Sequence, residues 1–178
     1  MMAWLLSRWR NERGAVAIET AVIMAGLGIT LMVGAPEVIH HTRGQSLLTR
    51  STAAMADTLG SLGRELGTAD FNAVVSLAGW GIAPLPADQL AFRVQSFVRS
   101  DGAVAQEWVR TSGTACTPGT ATTADAAALM PVERKSLIVV SSCYTLASLT
   151  GISPAITLSS RIWQAARVGR VTVPDAGT

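Results

Sequence analysis

Residues 8–36 read RWRNERGAVAIETAVIMAGLGITLMVGAP: three arginines, then an apolar run that Glu19 alone interrupts. The apolar part, residues 15–36, decides the architecture. A helix rises about 1.5 Å per residue, so the run spans roughly 33 Å, against about 30 Å of bilayer hydrocarbon. Arg8, Arg10 and Arg13 precede it, and Glu37, His40, His41 and Arg43 follow. Cationic flanks stay in the cytoplasm, so the N-terminus is expected inside and the rest of the chain exported.

Composition agrees with a chain that partly avoids water. Hydrophobic residues make up 49% of the 178 and charged residues 15%, where a soluble domain carries about 25% charge. Arg8, Arg10 and Arg13 against Glu12 account for the whole formal net charge of +2, which leaves a neutral body. A neutral body lacks the basic footprint of a nucleic-acid binder.

Three ordinary readings of the apolar run compete. A cleaved secretory signal needs a small-x-small site, and Gly34-Ala35-Pro36 fits that poorly. A buried soluble helix does not account for the flanking charges. A plain signal anchor accounts for length and charge but not for Glu19, since an acid inside a membrane helix costs about 2.5–3.5 kcal/mol on insertion scales. The fourth reading uses Glu19. A cut after Gly14 would free an amine on Ala15, four residues and one helical turn from the Glu19 carboxylate. That pair, within one subunit or between neighbours, would neutralise the acid and set register during assembly. Ala17, Ala21 and Ala25, with Gly28 nearby, form a small-residue stripe of the kind that lets helices approach closely in a membrane.

The stretch Arg13-Gly14-Ala15-Val16-Ala17-Ile18-Glu19 resembles the cleavage region of type IV prepilins, in which a membrane aspartyl peptidase cuts after the Gly. The longer stretch from Glu12 to Ala21 is similar to the TadE-like family, minor pseudopilins of the tight-adherence pilus; Thr20 stands where that family usually has an aromatic. The body resembles the family in the order of its elements. These are Pro84-Leu85-Pro86, Leu90-Ala91-Phe92-Arg93-Val94, Asp101-Gly102 with Trp108, Leu137-Ile138-Val139-Val140 with Tyr144, and a terminal segment with Arg161, Trp163 and Arg167. The resemblance implies an exported, single-pass protein of the bacterial inner membrane, with its C-terminal domain in the periplasm. It implies a prepilin peptidase and other pilus and pseudopilin subunits as partners. It implies no cofactor, no small-molecule substrate and no nucleic acid.

The expected fold is α+β and pilin-like: a long N-terminal membrane helix packed on a small antiparallel β-sheet head. Its parts are a leader at 1–14, a transmembrane helix at 15–36, a helical continuation at 37–67 and a globular head at 68–178. Leu47, Leu48, Ser51, Met55, Thr58, Leu59 and Leu62 recur at helical spacing, and Gly60, Gly63 and Gly67 mark the end. Asp70 is expected to cap a short helix from Phe71 to Leu77. Asp101-Gly102 predicts a tight turn between strands 91–100 and 103–112. A two-residue loop then puts Phe92, Val94 and Val98 on one face with Ala105 and Val109, against the helix. Residues 113–131 read as a surface loop with a short helix from Asp125 to Leu129. Residues 136–146 read as a central strand, and 156–173 as one strand or two with Gly169 between.

Cys116 and Cys143 read as one disulfide in an exported chain, with two buried thiols as the alternative. The chain shows no catalytic constellation and is read as a non-enzyme. His40 and His41 are adjacent and so project from different helix faces, which suits a metal poorly. Asp101 and Glu107 are not read as an acid–base pair, because the turn explains Asp101. Gly26-Leu27-Gly28 lies in the membrane run, outside any nucleotide-binding context. Trp80, Trp108 and Trp163 are either core aromatics or interface anchors. A signal-anchored periplasmic binding or scaffold domain is the alternative function.

Overall fold

The computed structural model describes residues 2–62, 66–130, 136–151, 153–167 and 171–172, with side chains at residue 16 and from residue 18 onward. It divides into two compact units, Met1–His40 and His41–Thr178. Helix α1, Met2–Ser61, begins in the first unit, continues through Pro36 and ends in the second. The α+β expectation holds: the second unit packs the end of α1 on a four-stranded antiparallel sheet.

In that unit α1 buries Leu48, Ser51, Thr52, Met55, Ala56 and Leu59, a stripe at intervals of one, three and four. Of the other expected stripe positions, Leu47, Thr58 and Leu62 are half-buried. The buried hydroxyls are satisfied. Thr52 donates to the Leu48 carbonyl and bonds the Ser142 hydroxyl. Ser51 donates to the Ala78 carbonyl at 2.6 Å, which ties α1 to helix α2, Thr68–Gly81. A Cβ on Gly60 would lie 2.6 Å from the Gln164 side chain, so a glycine lets the end of α1 close onto the sheet.

Asp70 does not cap α2 as expected. The N-cap is Gly67, and Asp70 sits three residues inside, where its carboxylate accepts the Gly67 N–H at 3.4 Å. The chain enters the helix earlier because Thr68 and Ala69 extend it, burying Phe71, Val74 and Ala78. A single 3₁₀ turn, Ala87–Gln89, leads into the sheet.

The strands are β1 Leu90–Ser100, β2 Ala103–Ser112, β3 Ser136–Leu146 and β4 Ile156–Ala165, in the order β2-β1-β3-β4. The hairpin forms at Asp101-Gly102, both with positive φ (53° and 79°), the requirement of a type I′ turn. Strand β3 lies in the interior, as its unbroken apolar run predicts. Gly169 lies outside the described residues.

One face assignment fails. Ala105 pairs with Val98 as expected, but Val109 pairs with Gln95, not Val94. A β-bulge intervenes: Ser96 faces Trp108 while Phe97 faces Gln106, so Glu107 is the extra residue. One inserted residue reverses the side-chain parity of everything beyond it. Trp108 and Arg110 thereby join the Phe92–Val94 face, and Val109 turns to the other side.

The sheet is covered on both faces. Leu90, Phe92, Val94, Ile138, Val140, Tyr144, Leu146 and Leu158 form one core with α1 and α2. Burial there pushes the Tyr144 phenol above its ordinary value, and the Asp88 carboxylate adds to the rise. Phe97, Leu137 and Val139 form a second core on the outer face with Ala121, Ala126 and Met130. Residues 113–130, expected as a surface loop, are therefore a strap across the outer face of the sheet. Its helix, α3, runs Thr123–Leu129, two residues longer than expected, because Thr122 and Asp125 make a reciprocal capping box. Both Thr122 hydrogen bonds, backbone first, hold the Asp125 carboxyl below its ordinary value.

The disulfide joins Cys116 at the head of the strap to Cys143 on β3, with 6.1 Å between Cα atoms. Next along the strap, Arg161 donates to the Thr120 carbonyl at 3.0 Å. Gln95, 1% exposed, then grips Ala121 twice: it donates to the carbonyl at 3.1 Å and accepts the N–H at 2.8 Å. Arg99 donates to the Ala127 carbonyl at 3.1 Å. These main-chain groups of the strap find side-chain partners on the sheet, which holds the strap against it.

Candidate functional site

The first unit is a single helical segment. From residue 18 its large apolar side chains lie open: Ile18, Val22, Ile23, Met24, Leu27, Ile29 and Leu31 are all more than half exposed, and Met32 reaches 81%. Successive helix positions differ by about 100°, so residues 22, 23 and 24 alone point in three directions. A helix apolar on every side suits lipid, not one flank of a soluble core. Mean hydropathy reaches 1.9 over an 18-residue window that is only 6% buried, long and apolar enough to cross a membrane.

The backbone needs of a lipid-exposed helix are met internally. The Thr30 hydroxyl is also satisfied within the helix, donating to the Gly26 carbonyl at 2.9 Å. Glu19 is the ionisable side chain within this apolar segment, and it is exposed. Gly14 and Ala15, the expected cleavage pair, fall inside α1, and the side chains of Ala15 and Ala17 lie outside those described. Ala21 and Ala25 are exposed, and nothing lies within 4 Å of a Cβ built on Gly26 or Gly28. The stripe is open along these positions.

The remaining singled-out residues scatter. Cys116 and Cys143 are bonded in the head, where they hold the strap. Trp108 is half-buried and donates to the Val171 carbonyl at 2.9 Å, and Trp163 lies with its ring centroid 6.5 Å from that of Phe97. Both are sheet aromatics, whereas Trp80 is 76% exposed on α2. Asp101 occupies the turn, and Glu107 the bulge. Among the described residues no group of three or more His, Cys, Asp or Glu side chains converges as a metal site would need.

Sequence reasoning missed the row Thr111–Arg93–Ser141–Arg161, which crosses all four strands on the outer face. Arg93 stands between Phe92 and Val94 on β1 and Arg161 between Ser160 and Ile162 on β4, but only strand register aligns them.

No family model matches the chain, and neither a curated protein nor a solved structure matches it.

Proposed function

We propose that the chain is a TadE-like minor pseudopilin: cut by a prepilin peptidase between Gly14 and Ala15, held in the bacterial inner membrane by α1, and active in assembly of a tight-adherence pilus. The observation that carries this reading is Glu19, fifth after Gly14, on a helix whose surroundings are apolar and open. An acid there is costly in lipid unless paired. The amine that cleavage would create on Ala15, one turn away or on a neighbouring helix, supplies the pair. Ala21 and Ala25 leave room for that neighbour. The head, in this reading, faces the periplasm, where its disulfide is stable.

The test is the mature N-terminus and intact mass in cells with and without the peptidase. The proposal requires a start at Ala15 that depends on the peptidase. An intact arginine-rich leader in both strains overturns it and leaves a signal-anchored periplasmic scaffold.

A further inference from the structure

We propose that Arg93 and Arg161, astride Thr120 on the outer face of the sheet, form a binding site for an oxyanion of the phosphate and sulfate class. The two residues lie in one row, with Ser141 of β3 between them. Neighbouring strands are about 4.8 Å apart, so their backbones stand roughly 10 Å apart, each able to reach the middle. Both do. Arg93 Nη1 donates to Thr120 Oγ1. Arg161 Nη2 donates to the Thr120 carbonyl at 3.0 Å and Nε to Ser141 Oγ at 3.2 Å. A Cβ on Gly119 would come within 2.6 Å of Arg161 Nη2, so glycine makes room for the guanidinium.

All these acceptors are neutral. Among the described residues neither guanidinium makes an ion pair. Asp125 acts on Arg161 through space, but its Oδ2 is engaged by the Thr122 N–H and hydroxyl. Each guanidinium has five N–H groups, and few are engaged here; Arg93 Nε is buried without a partner. Two like charges thus converge on one exposed threonine with spare donors, and the nearby carboxylate, Asp125, acts on Arg161 without an ion pair. Holding the strap does not require this. Gln95, a neutral side chain, makes two bonds to Ala121 in the next row.

A tetrahedral oxyanion answers the geometry. Its terminal oxygens can meet forks arriving from opposite sides together with the Thr120 hydroxyl. A planar carboxylate is already filled by a single bidentate arginine.

The test uses the full chain in detergent, titrated calorimetrically with sodium phosphate at constant ionic strength set by sodium chloride. Saturable binding is expected, weakened roughly tenfold or more by Arg93→Gln. Arg110→Gln, on the opposite face beside Val94, should bind as wild type. Glycerol 3-phosphate separates sources: binding equal to phosphate identifies an ester-bearing ligand, and binding of phosphate alone a free ion. Both support the site. No saturable heat, equal binding in Arg93→Gln, or acetate binding as well as phosphate overturns it. If Arg93→Gln does not fold, Arg93→Lys replaces it; unchanged affinity there equally overturns the fork geometry.

Discussion

Replacing Gln95 with Met keeps the volume of the side chain and removes its polar end. Gln95 is 1% exposed and Ala121 3%, so no solvent replaces the bonds that are lost. The Ala121 N–H and carbonyl both lose their partners, at 2.8 and 3.1 Å. A buried backbone group left unpaired costs about 1–3 kcal/mol, and relaxation of the strap recovers part of it. We expect a loss of about 2–4 kcal/mol from the head. The third bond, Gln95 Nε2 to Gln106 Oε1 at 2.8 Å, ends on an exposed partner. Gln106→Ala should therefore cost under about 1 kcal/mol. Urea unfolding of the full chain in detergent, followed by tryptophan fluorescence, compares the two variants. Hydrogen exchange at Ala121 reports the strap directly: its protection should collapse in Gln95→Met and persist in Gln106→Ala. Equal losses in both variants, or an Ala121 amide still protected in Gln95→Met, would refute the view that Gln95 latches the strap.

Gly113 has φ +81°, and a Cβ there would sit 2.2 Å from the Leu90 carbonyl oxygen, so Gly113→Ala should destabilise the head by about 2–4 kcal/mol in the same urea assay. The Asp125 carboxyl is held below 3.8 by its Thr122 hydrogen bonds, so the stability it contributes is present above that value and lost as pH falls through its lowered folded pKa. Exchange protection in α3 should fall in that acid window; Asp125→Asn should remove the pH dependence, whereas Thr122→Ala, which keeps the backbone N–H, should only reduce it. On the pseudopilin reading proposed above, Glu19→Ala should leave cleavage after Gly14 intact and impair piliation, scored by electron microscopy; normal pili in that strain would remove Glu19 from assembly.

The sequence by itself determined the elements whose causes are local. The apolar run after Arg8, Arg10 and Arg13 needs only its length and composition to be read as a helix able to span a bilayer. Asp101-Gly102 needs only its own φ preferences to make the turn, and the apolar run from Leu137 to Val140 places β3 inside. The Leu48–Ser51–Met55–Leu59 spacing already names the buried side of α1. What only the tertiary structure decided depends on register and on distant partners. The bulge at Glu107 reversed Val109 because strand parity counts every residue between the turn and the position. The strap over 113–130 looks like a polar loop, since its anchors, Gln95, Arg99 and Arg161, lie 26 to 41 residues away in the chain. Arg93 and Arg161 are unrelated residues until β3 pairs with both neighbours and puts them in one row. For the proposed processing site the division differs: the five-residue spacing of Gly14 and Glu19 that suggests it lies in the sequence, and the structure adds the open apolar surface around Glu19.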